Sequence, residues 1–232
     1  MCIRDRFSIA TWFKVDTIGD DRFISTLDVP SGDTETWGYA FGIYHQNLAG
    51  RNANSLVFQS GRDTWAWSFW TTPEDSITTG RWTHGIVVVS GATTASPSTT
   101  FYIDGVKYTG SAWDNGIDDI NHGSNTAARR IGSKYSATRT SYYDQYFVGS
   151  LDEMRVYNRA LSDDEALKLY NLGKAKFTSS QATRYSGGLV GMWDFNGPNL
   201  NTTTSTDVSG NGNDGALTGS PVPVRGKLGP VS

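Results

Sequence analysis

The stretch FSIATWFKV, residues 7–15, puts Phe7, Ile9, Thr11, Phe13 and Val15 on one side of an extended chain and Ala10 and Trp12 on the other. Successive side chains of a strand point to opposite faces. Both faces here are largely apolar, so this strand must be covered on both sides, which calls for a layered β structure. Strand patterns recur at 37–44, 54–60, 64–70 and 81–90. In 64–70, Trp65, Trp67 and Phe69 share one parity, and Ala66, Ser68 and Trp70 the other. Asp104-Gly105 between two apolar triplets predicts a two-residue hairpin within 100–110, because both central residues of such a turn need positive φ. Residues 145–158 read as one more strand or a bent strand pair.

One helix is expected, near 162–172. Ser162 with Glu165 forms a capping box, Leu161 with Ala166 suits the hydrophobic staple, and Gly173 supplies a stop. Residues 174–186 are a polar connector, and 188–195 begins a new strand ahead of a Pro/Gly-rich tail. The expected class is therefore all-β, a two-sheet antiparallel sandwich with the helix as an accessory.

Composition narrows the function. Eight Trp, a 12% aromatic share and 26 Gly among 232 residues suit short strands, Gly-rich turns and a core filled by rings. A net charge of −3, with 20 scattered Lys and Arg, offers no basic surface for a phosphate backbone, so nucleic acid is not an expected partner. No apolar run reaches eighteen residues, so no membrane span is expected. A single cysteine, Cys2, excludes an internal disulfide and a Cys-rich zinc site. The opening MCIRDR is neither a signal peptide nor a strand; residues 1–6 resemble a translated sequencing-adapter read, and the gene is expected to extend upstream.

FSIATWFKV, GRWTHGIVVVS, TFYIDGVKY, RIGSKY and YFVGSLDEMRVYNRALSDDEALKLY resemble, in this order, the laminin G-like (concanavalin A-like lectin/glucanase) jelly-roll domain. The resemblance covers 7–173. A second match, GGLVGMWDFNG followed by TDVSGNGNDGALTGSP, resembles the start of such a domain, so 187–232 reads as the beginning of a second repeat or as a permuted first segment. The resemblance implies that 7–173 lacks its own first strands, and that 188–195 docks beside 151–157 with Leu189, Met192 or Trp193 and Phe195 filling the core.

The segment DVSGNGNDGALTG (207–219) contains Gly210-x-Gly212-x-x-Gly215, the spacing of a dinucleotide fingerprint. That fingerprint needs a strand before it and a helix opening at its third glycine. A Thr/Ser loop precedes this one and ALTGSPVPV follows, so the reading fails. Two other readings stay open. Asp207, Asn211, Asn213 and Asp214 offer hard oxygens for calcium, or they cap their own backbone as an Asx-turn. Related jelly rolls imply a structural calcium held by Asp207, Asn211 and Asp214, with Asp152 as partner. Asp152 and Glu153 equally suit pairing with Arg155 or Arg159.

The Glu-x-Asp-x-x-Glu string of the glucanase relatives is absent, as is a G-x-S-x-G elbow, so no catalytic residue is named. Binding remains. Sugar recognition combines aromatic faces with Asn, Asp and Arg that bond hydroxyls. The candidates are Trp113, Asp114, Asn115 and His122, read in a long loop over 111–125, and Trp65 and Trp67, which equally suit the core. The expectation is a non-catalytic module of a secreted or cell-surface protein that binds a glycan or matrix component, flanked by further domains. A purely structural spacer and a glycosidase-like domain are the alternatives.

Overall fold

β1 (Arg6–Val15) lies inside a six-stranded antiparallel sheet, between β6 (Trp82–Ser90) and β13 (Gly149–Tyr157). The structure is a computed structural model that describes residues 6–19, 22–25, 38–45, 52–61, 67–90, 98–113, 130–138, 141–174, 187–201, 203–217, 221–224 and 226. Beyond β6 come β7 (Ser98–Ile103) and β8 (Val106–Thr109); beyond β13 comes β14 (Leu189–Trp193) at the edge. β7 and β8 are joined by Asp104 and Gly105 at φ 51° and 82°, the two positive angles that the Asp-Gly pair predicts.

A second sheet of eight strands lies opposite. Its order is β15 (Thr204–Ser205), β16 (Gly215–Ala216), β10 (Arg130–Ile131), β2 (Arg22–Ser25), β3 (Gly38–Tyr44), β4 (Ser55–Gly61), β5 (Trp67–Thr71) and β9 (Ser111–Trp113). A separate hairpin, β11 (Ser133–Thr138) with β12 (Ser141–Tyr146), carries the chain from β10 to β13. The architecture is the two-sheet sandwich with one helix that the strand patterns require.

Phe7, Ile9, Phe13 and Val15 of β1 enter the main core, where they meet Phe23, Phe41, Phe58, Trp70, Phe101 and Trp193. Phe13 and Phe23 stack across the two sheets with centroids 4.4 Å apart. Each fully buried ring of this kind contributes roughly 1.5–3 kcal/mol. The other face of β1 is covered by α1 (Asp163–Lys174): Ala10, Ile86, Val88, Tyr102 and Tyr157 pack against Leu161, Ala166 and Leu169. The predicted cap is present, since Ser162 N–H donates to Glu165 Oε2 at 2.9 Å and Glu165 N–H to Ser162 Oγ at 3.3 Å.

Several local expectations change. Gly173 does not stop the helix, which runs on to Lys174; it lies against the Trp12 indole, where a Cβ would sit 2.0 Å from Nε1. Trp82, at the start of β6, is half-buried. Residues 111–113, read as part of a loop, form β9, because β5 has an edge that a short extended segment can pair. β2, β11 and β12 had no separate reading: β2 is four residues long, too short to show a period.

β14 pairs antiparallel with β13 through Met154↔Trp193, Arg155↔Met192, Val156↔Gly191 and Tyr157↔Leu189. A bulge at Val190 reverses the parity, so Trp193 is buried in the main core while Leu189 packs under the helix. Val190 and Phe195 are partly buried against the core, and Met192 is half-buried beside neither cluster. No helix among the described residues is long and apolar enough to cross a membrane.

Candidate ligand-binding face

Alternation along the strands divides the residues of the eight-stranded sheet. Phe41, Ile43, Leu56, Phe58 and Trp70 face the core; Ala40, Gly42, Tyr44, Val57, Gln59, Phe69 and Thr71 face away from it. On this outer face Tyr44, Val57 and Phe69 form a buried cluster of their own, with the two rings 6.1 Å apart. Arg22, at the start of β2, is fully buried: Nη1 donates to the Ile43 carbonyl at 2.9 Å and Nη2 to Gln59 Oε1 at 3.0 Å. A buried guanidinium persists only where its donors are matched, so Ile43 and Gln59 hold it in one orientation.

Register aligns the face into rows. Ala40, Gln59, Phe69 and Trp113 are successive partners across β3, β4, β5 and β9. Gly42, Val57, Thr71 and Ser111 form the next row, with Arg22 opposite Gly42. Rows of this kind repeat at about 4.8 Å per strand. Trp67 lies two positions from Phe69 along β5, so Trp67 and Trp113 occupy neighbouring backbone positions at the β5–β9 edge. Trp65, Asp114, Asn115 and His122 lie outside the described residues. Arg22 and Gln59 carried no reading from sequence; the parity of Gln59 with Val57 in SLVFQS is the signal that could have placed it on a face.

The glycine–asparagine loop is a closed set of hydrogen bonds. Asp207 Oδ1 accepts from the Met192 and Ser209 amides, each at 2.9 Å, and Oδ2 from the Asn213 amide at 2.9 Å. Asp214 Oδ1 takes the Asp207 amide at 2.9 Å. Asn211 Nδ2 donates to the Leu189 carbonyl and Asn213 Nδ2 to that of Val190. Burial opposes the charge on Asp207, yet the bonds from Ser209, Met192 and Asn213 hold its carboxyl below the usual range. Gly210 and Gly212 supply the positive φ, at 85° and 70°. The bond from the Ser209 amide is that of an Asx-turn, and the others close the loop on itself and tie it to β14.

Asp152 is not part of that set. It sits on β13 three residues from Arg155, the register partner of Met192, or roughly 10 Å along the strand. Of the donors inferred for calcium, Asp207 has both carboxylate oxygens and Asp214 its Oδ1 bonded to backbone amides, while Asp152 lies on β13. Among the described residues no group of three or more His, Cys, Asp or Glu could hold a metal ion.

A charged cluster lies on β13 instead. Glu153, at φ 52°, occupies a bulge between the pairs Ala10↔Arg155 and Trp12↔Asp152, and bonds Arg155 Nη2 at 2.5 Å. Burial pushes the Glu153 carboxyl up, against the pull of Arg155. Arg159 pairs with Glu165 at 2.7 Å. Both ion pairs fix the strand and the helix start.

A family profile described as the concanavalin A-like lectin/glucanases superfamily matches residues 2–166. The chain belongs to this superfamily. The match to the concanavalin A-like superfamily ends within α1, so β14 and the glycine–asparagine loop lie beyond it. A candidate carbohydrate-binding protein of Bacteroides ovatus is similar in structure, with 16% identity, a TM-score of 0.52, and coverage of 91% of this chain and 51% of that one. Domain 4 of the extracellular arabinanase AbnA from Geobacillus stearothermophilus, solved with arabinotriose, matches at 19% identity and TM-score 0.46, covering 72% and 66%. The CBM40 of the Ruminococcus gnavus IT-sialidase matches at 14% identity and TM-score 0.49, covering 72% and 83%. No curated protein matches the sequence. This concanavalin A-like chain spans about half the length of the Bacteroides ovatus protein.

Proposed function

We propose that the chain is a non-catalytic carbohydrate-binding module whose ligand lies on the outer face of the eight-stranded sheet, at its β5–β9 edge. The observation that carries this reading is the row Ala40, Gln59, Phe69 and Trp113, with Trp67 beside it. Aromatic positions at this edge suit stacking on the C–H faces of sugars. The candidate carbohydrate-binding protein of Bacteroides ovatus, on the same fold, agrees with it. We read the chain as one unit of a longer secreted or surface protein, and 187–232 as the start of a further unit.

The test is a glycan array read with the chain and with Trp113→Ala. Loss of a stacking ring is expected to weaken binding by about 1.4 kcal/mol, roughly tenfold, with the melting temperature nearly unchanged. A chain that binds no glycan is the result of a spacer and sinks the proposal. Hydrolysis of a β-glucan would return it to the enzymes.

We also propose that the 207–214 loop needs no ion. Chelation is expected to leave the melting temperature where it was, since Asp207 is held by three amides. A rise of several degrees on adding calcium would restore the metal reading.

A further inference from the structure

Residues 187–217 form a clip that closes one side of the sandwich. β14 pairs with β13 in the six-stranded sheet, and β16 pairs in parallel with β10 in the other, through Arg130↔Ala216. The clip is bonded largely to itself: Asp207 and Asn213 tie the loop back onto Met192 and Val190, and Trp193 Nε1 donates to the Asn213 carbonyl at 3.1 Å. Among the described residues its links to the body include the β13 ladder, the β10 pair, the buried Trp193 ring, packing of Leu189, Val190 and Phe195, and bonds from the Asn158 amide and Arg159 Nε to the Gly188 and Gly187 carbonyls. None of these depends on the clip being part of the same chain.

Its tether is longer than the gap. The end of α1 rests on Trp12, whose partner on β13 is Asp152. The clip begins beside Asn158 and Arg159, six residues further along the chain and about 20 Å away at strand rise. The 12 residues between Lys174 and Gly187 extend to about 45 Å.

We propose that the clip is exchangeable, so that the open side of the sandwich is a docking surface for residues 187–217 of a second copy of this chain. The surface consists of the outer edges of β13 and β10 and the space between the sheets that Trp193 fills. Exchange of an identical element is a low-cost route to dimers. A tether of this length gives the chain's own clip an effective concentration on the order of millimolar, so self-closure dominates in dilute solution. Shortening the tether removes that advantage.

Deleting residues 176–185 leaves two residues between Lys174 and Gly187, a reach of about 11 Å, which does not span the gap. Light scattering is expected to give this variant twice the molar mass of the full chain, with cooperative melting retained. A folded monomer overturns the proposal. Should the shortened chain fail to fold alone, it is refolded together with the full-length variant Trp193→Asp, whose own clip is disabled. A one-to-one complex then supports exchange, and two species that stay apart overturn it.

Discussion

Trp193→Ala is expected to lower stability by about 3–5 kcal/mol, the range for a large buried ring cut to a methyl group. The ring is 1% exposed, and the residues around it are shaped to admit it. A Cβ on Gly191 would lie 2.7 Å from the ring's Cη2, and one on Gly215 would lie 3.3 Å from its Nε1 and 2.8 Å from Ile131. The ring joins three elements: β14, which carries it, the loop carbonyl of Asn213, and the main core. Its loss leaves a cavity where the two sheets meet, and it frees the β13 edge. Urea unfolding of the variant against the parent measures the effect. A difference below about 1 kcal/mol would mean that the clip adds nothing to the core.

The second large effect is a loss of stability in acid that traces to His84. Its ring is buried on the helix side of β6, 5.0 Å from Trp12 and 6.1 Å from Tyr170. Neither ring nitrogen has a hydrogen-bond partner among the described residues. Burial, with Arg155 adding to it, lowers its pKa from 6.5 to about 3. In the unfolded chain His84 takes a proton below pH 6.5, while the folded chain does not until about 3. Between these values the unfolded state binds more protons, so stability falls as pH falls. At 1.36 kcal/mol per unit, the loss by pH 4.5 is about 2.7 kcal/mol. Other groups titrate in the same window. The lowered Glu165 adds to the loss, and the raised Glu153 opposes it. His84→Phe keeps a ring between Trp12 and Tyr170 and leaves those carboxyls in place. The comparison is therefore between the slopes of the two profiles from pH 7.5 to 4.5. Parallel profiles would show that His84 is not buried in its neutral form.

Much of the architecture was legible in the residues. Apolar side chains on both parities of 7–15 demanded two covers, and the core and α1 supply them. Asp104-Gly105 and the Ser162–Glu165 box specified a turn and a helix start, because each rests on contacts within four residues. Gly173 was misread for the opposite reason: its neighbour is Trp12, far away in sequence, and no local rule reports that approach.

The candidate face was legible only in part. Trp113 stood out as a ring in a polar stretch and Trp67 as one of the alternating rings of a strand, yet nothing local joined them, since the pairing that does so links β5 to a three-residue strand. Arg22 passed unnoticed in a four-residue strand, and its role depends on a carbonyl in β3 and an amide in β4. For Asp207 the oxygens were legible but their amide partners were not, because an oxygen that binds an ion and one that accepts an amide look alike in a list of residue types.

Alternation, turn chemistry and capping are properties of neighbouring side chains, and they alone made this chain a two-layer β structure with one helix. The choice of which edge meets which was made in three dimensions: β9 on β5, β14 on β13, β16 on β10. Backbone donors and acceptors are the same in every strand, so an edge carries no address. The partner is selected by what the pairing buries, as when Trp193 enters the core between the sheets.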